Sequence, residues 1–216
     1  MNHYLSIKFK VLSLVAIILV IYVHSYTISR SNLTSSDFVV FIQNFISHGI
    51  ARIAVPMFFL MSGYLFFLNH QKNSSNYSGL VSKKIKTVVL PYILCSIICL
   101  VTYFILQTMS FSKIFFSHDL VKNFNSFELV SLIFIRPIPY QLWFLKDLMV
   151  LFMLSGLIYT LLKSLKSILI IIFLTAWFFN LNYLLFSNQS IVFFTIGAYL
   201  SLFRQDWMIN TPPLKL

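Results

Sequence analysis

The sequence predicts an all-α membrane protein, a polytopic helical bundle of about six transmembrane helices, and three observations carry that prediction. Of the 216 residues, 59% are hydrophobic and only 10% are charged, whereas an ordinary globular sequence is about a quarter charged. The apolar residues come in runs of about 17–25, the length that crosses a hydrocarbon core as helix. The runs are unbroken rather than alternating, which excludes the strand pattern of a membrane barrel.

The expected spans follow in order. The first, near 11–28, comes after Lys8 and Lys10 and superficially resembles a signal peptide. It lacks a small-residue cleavage site and contains His24, so it is read as a retained span. The second lies near 49–68. The third, near 87–108, is led by Lys83, Lys84 and Lys86 and contains Cys95 and Cys99. Two cysteines one helical turn apart, with no other ligand near, read as small buried core residues rather than a disulfide or metal site. Spans four to six are expected near 141–162, 167–186 and 189–204. Polar stretches near 29–47, 69–86 and 109–140 separate the first four. The membrane domain is therefore 1–204 and a tail is expected over 205–216. No internal repeat is visible.

The net charge of +11 is placed between the apolar runs, not along a basic stripe, so nucleic acid is not an expected partner. With the N-terminus inside, the inner segments hold Lys8, Lys10, Lys72, Lys83, Lys84, Lys86, Lys163, Lys166, Arg204 and Lys215. The outer ones hold Arg30, Lys113, Lys122 and Arg136. For an inner-membrane protein, this positive-inside bias predicts both termini cytoplasmic and the 109–140 loop outside.

Ionisable groups inside spans are expensive and mark function by default. Four stand within or at the edge of spans: His24, Arg52, Lys146 and Asp147. At 1.5 Å per residue, they lie roughly 5–8 Å in from the outer face, in one layer contributed by three helices. Each has a plainer reading. His24 could sit at an interface, Arg52 could snorkel to headgroups, and adjacent Lys146 and Asp147 point about 100° apart on a helix and need not pair. The shared depth favours a site. His48 shares a helical face with Arg52, though its polar surroundings suggest solvation. His3, His70 and His118 fall in polar segments and are expected to have no chemical role. Trp143 offers a flat face of the sort sugars stack on, or belongs to an interfacial aromatic belt. The lysines at 83, 84 and 86 are first a topology signal and secondarily a place for an anionic ligand.

The stretches "LVAIILVIYVHSY", "RIAVPMFFLMSGYLFF" and "YQLWFLKDLMVLFMLS" resemble the acyltransferase-3 family of bacterial membrane proteins. "KKIKTVVLPYIL" and "VFFTIGAYLS" fit as well, and the similarity runs from about residue 5 to 204. The closest likeness is to the branch that O-acetylates surface polysaccharides and their lipid-linked precursors. The resemblance implies transfer of an acyl group, usually acetyl, from cytoplasmic acyl-CoA to a sugar hydroxyl. It implies no bound cofactor and no metal, with acyl-CoA, an envelope glycan or lipid-linked sugar, and membrane lipid as partners. His24 matches the family's catalytic base and Arg52 an arginine of its site. Trp143, Lys146 and Asp147 are the expected acceptor-side residues, and Lys83, Lys84 and Lys86 the donor-side ones. Where many members carry an acidic or amide residue and an arginine in the first turns of the first span, this chain has Val11 and Leu14. The family pattern has about ten spans, so six correspond to its N-terminal part. Two other classes stay open: a transporter component, which would call for spans broken by Gly/Pro pairs and inverted repeats, and a non-catalytic fragment or membrane partner.

Overall fold

The computed structural model describes residues 3–25, 37–72, 77–109, 121–134, 137–181 and 186–204. The described residues are helical with no strand among them, as the apolar runs require. They fall into two compact units, Met1–Tyr77 with Leu154–Leu216, and Ser78–Met153.

In the first unit, α1 (His3–Ser25) and α3 (Ala54–Lys72) run antiparallel. Leu5 and Phe9 of α1 pack on Met61, Tyr64 and Leu68 of α3. The Phe9 and Tyr64 rings lie 5.3 Å apart, and Ser13 Oγ donates to Met61 Sδ at 3.9 Å. Helix α1 begins well before the expected residue 11, so Lys8 and Lys10 are helical.

Before α3 come α2 (Asp37–Asn44), a π-helical turn (Phe45–Ile50) and a 3-10 turn (Ala51–Ile53). Pro56 explains the irregularity: it has no N–H to give the carbonyl four residues back, which is that of Arg52, and its ring crowds that carbonyl. The backbone tightens there, and the π turn upstream takes up the extra residue.

The most extensive contact in this unit joins α3 to α9 (Asn188–Phe203). It is a close backbone approach between helices. A Cβ added at Gly63 would fall 2.2 Å from the Phe194 carbonyl oxygen, and one at Gly197 only 2.0 Å from that of Leu60. Small residues let membrane helices meet at this range, where dispersion rather than the hydrophobic effect holds them. The unit is completed by α7 (Ser155–Leu165) and α8 (Ser167–Phe178), joined through Lys166 at a positive φ of 49°. A second positive φ, 51° at Asn180, follows the end of α8. Helix α9 is capped by Ser187, whose Oγ accepts from Ser190 N at 3.2 Å.

The second unit contains most of α4 (Tyr77–Thr108), then α5 (Ser126–Phe134) and α6 (Trp143–Met153). The N-terminus of α5 carries a reciprocal capping box: Glu128 N donates to Asn125 Oδ1 at 2.9 Å and Asn125 N to Glu128 Oε2 at 2.8 Å. Buried Tyr92 of α4 donates its hydroxyl proton to the Phe134 carbonyl at 3.1 Å, satisfying an orphan acceptor at the end of α5.

The expected six spans are not all matched by long helices among the described residues. Among the described residues three helical stretches, Tyr4–His24, Phe41–Gln71 and Tyr77–Thr108, are long and apolar enough to cross a membrane. They become up to four if α6 and α7, interrupted at Leu154, form one span. Helices α8 and α9, with 12 and 16 residues, reach about 18 and 24 Å and fall short of a core about 30 Å thick. The expected burial of the cysteines is corrected too: Cys95 is exposed and Cys99 half-buried on α4, both as free thiols. They lie on a helix with little of its surface packed.

Candidate functional site

Arg52 sits in the 3-10 turn forced by Pro56, with its side chain exposed. The antiparallel pairing of Ser13 with Met61, continued along both helices, brings the C-terminal end of α1 toward the Arg52 turn. Helix α1 indeed packs on the Ala51–Ile53 turn. His24 occupies the last turn of α1, also with its side chain exposed. Two separate helices therefore bring an imidazole and a guanidinium to one end of the α1–α3 pair. His48 lies in the π turn just upstream and is exposed. A π turn changes the angular spacing, so the α-helical face shared with Arg52 in the sequence reading is lost.

Trp143, Lys146 and Asp147 belong to α6 in the second unit. Asp147 is 2% exposed, on the packed face with Leu151, while Trp143 and Lys146 are half-buried. Trp143 and Asp147, four residues apart, share a helix face. Lys83, Lys84 and Lys86 lie in the early turns of α4, Lys84 half-buried and the other two exposed. The 32 residues of α4 span about 48 Å, more than a hydrocarbon core of about 30 Å, so its lysine-bearing start can project beyond the apolar stretch. No group of three or more His, Cys, Asp or Glu placed to hold a metal occurs among the described residues.

A His and an Arg at the same end of two packed apolar helices coincide with a match of the acyltransferase domain to residues 9–216. The chain belongs to the acyltransferase-3 family. It is a membrane acyltransferase. No curated protein and no solved structure matches it.

The acyltransferase also holds a cluster that sequence reasoning passed over. His70, expected to be inert in a polar segment, is 9% exposed. Its ring stands edge-to-face to Tyr77 at 5.1 Å and to Tyr159 at 5.0 Å, with Phe67 at 6.5 Å. The Tyr77 hydroxyl and Ser155 Oγ are hydrogen-bonded at 2.6 Å. A signal for it did exist. Phe59, Gly63, Phe66 and His70 recur at helical spacing, and all four are buried. His118 lies outside the described residues.

Proposed function

We propose that this acyltransferase moves an acyl group, typically acetyl, from acyl-CoA to a hydroxyl of a cell-envelope polysaccharide or its lipid-linked precursor. The observation that supports the reading is that His24 and Arg52 stand at the same end of α1 and α3, where α1 packs on the Arg52 turn, within a chain of this family. The chemistry needs a base for a weakly nucleophilic hydroxyl and a cation for the oxyanion. As the sugar oxygen attacks the thioester carbonyl, neutral His24 accepts the hydroxyl proton. Arg52 stabilises the tetrahedral oxyanion by charge and by its fork of donors. Collapse breaks the carbon–sulfur bond. The imidazolium returns the proton to the leaving thiolate, giving the O-acyl sugar and free coenzyme A.

Trp143 would stack on the acceptor sugar, with Lys146 and Asp147 as further acceptor contacts. Lys83, Lys84 and Lys86 would meet donor phosphate as charge-assisted donors. The purified chain in lipid nanodiscs should release coenzyme A thiol from acetyl-CoA only when acceptor glycan is present, and thiol release that ignores acceptor would contradict the reading. In the same assay Arg52→Lys is expected to be impaired, because a point charge replaces a planar fork.

The bacterial inner membrane is the proposed location, with both termini cytoplasmic. Once Cys95 and Cys99 are replaced by alanine, single cysteines introduced at residue 1, near Ser75 and at residue 216 should resist an impermeant thiol reagent. One near Lys122 should react. Labelling near Ser75 from outside would overturn this orientation and the ten-to-four bias of basic residues behind it.

A further inference from the structure

The transfer chemistry leaves the cluster around His70, at the opposite end of α3 from Arg52, without a task. Lys163 of α7 holds its ammonium 4.7 Å above the centre of the Tyr159 ring. An aromatic face thus pre-orients an exposed cation that would otherwise sweep through solvent. Tyr159 is in turn set edge-to-face against His70, with ring centres 5.0 Å apart. No Asp or Glu occurs anywhere in the α1, α3, α7, α8 or α9 sequences, so these helices supply no carboxylate to that cation. His70 Nδ1 is buried and has no hydrogen-bond partner among the described residues. The neighbouring Tyr77 hydroxyl is already engaged with Ser155. A buried ring nitrogen in that state carries a desolvation cost that an entering polar group would relieve.

We propose that Lys163, seated on Tyr159 with His70 behind it, is a phosphate-binding site. Phosphate has the charge to meet the ammonium and enough acceptor oxygens to take an imidazole N–H as well. Such a group arrives either on the acyl-CoA donor or on the headgroup of an anionic lipid, and the recognition chemistry is the same. The donor source rests on the acyl-CoA reading above; the lipid source does not.

The test uses the full chain in nanodiscs, with Lys163→Met, Lys163→Arg and His70→Phe beside the unaltered protein. One arm measures coenzyme A binding in phosphatidylcholine discs by calorimetry. The other measures retention of phosphatidylglycerol by native mass spectrometry. Lys163 is exposed, so Lys163→Met keeps the packing. It should weaken binding about tenfold, the usual worth of a charge-assisted hydrogen bond. Lys163→Arg should restore most of that loss, and His70→Phe, which keeps a ring in place, should also weaken binding. A loss in the coenzyme A arm alone assigns the donor, and one in the lipid arm alone assigns the headgroup. Unchanged binding in both arms overturns the site. An unaltered chain that binds no coenzyme A overturns the acyl-CoA reading, while the lipid arm still decides the fate of this one.

Discussion

Replacing His24 with alanine is expected to remove nearly all acyl transfer while leaving protein level and membrane insertion unchanged. The side chain is exposed on the last turn of α1, so its loss opens no cavity in the packed frame. What disappears is the proton acceptor. General-base loss is worth about 10²–10⁴ in rate, enough to take a slow sugar acylation below detection. His24→Gln should do no better, since an amide can hydrogen-bond the hydroxyl but cannot take its proton. The measurement is O-acetylation of surface glycan by mass spectrometry, in cells carrying each variant as the only copy. Full acetylation with His24→Ala would dismiss the base role.

A second large effect is expected at Gly197, where stability rather than chemistry is at stake. A Cβ there meets the Leu60 carbonyl oxygen at 2.0 Å and the Tyr64 nitrogen at 2.9 Å. Both are backbone atoms of a helix and neither can swing aside as a side-chain tip would. Helices α3 and α9 must then separate along their main contact. Gly197→Ala should cost about 1–3 kcal/mol, the usual range for overpacking, and Gly197→Val more. Gly49→Ala serves as the control, because its added carbon meets nothing nearer than the Phe45 ring at 3.8 Å. Thermal unfolding in detergent, followed by tryptophan fluorescence, reads the difference. A Gly197→Val protein as stable as the unaltered one would refute the close approach. Because α3 leads directly out of the Arg52 turn, activity should fall with stability in this series but not with Gly49→Ala.

Helices were legible from apolar runs alone because in lipid every backbone polar group must be paired within its own segment. Their ends were not, because a helix has no reason to stop where the apolar stretch stops. The stretch 69–86 reads as polar, yet α3 continues to Lys72 and α4 starts at Tyr77. His24 and Arg52 stood out as costly charges in apolar sequence, and the fold brings both to one end of α1 and α3. His70 did not stand out, since Asn69 and Gln71 beside it suggest water. Its burial comes from Tyr77 and Tyr159, the second some ninety residues away, and such contacts leave little local trace. The break at Leu154 was equally hidden, having no Gly/Pro pair to announce it.

The π turn before Arg52 has a consequence for how this part of the chain can change. One residue in a helix is worth about 100° of rotation, and a π turn holds one more than its α counterpart. Phe45–Ile50 therefore acts as a phase shifter: the side chains of α2 point where an uninterrupted helix would not send them. Losing a single residue there would restore even winding and turn α2 through slightly more than a quadrant, with α3 left in place. Gaining or losing that residue is thus a way to re-aim what surrounds the His24–Arg52 end while the α3–α9 contact stays unaltered.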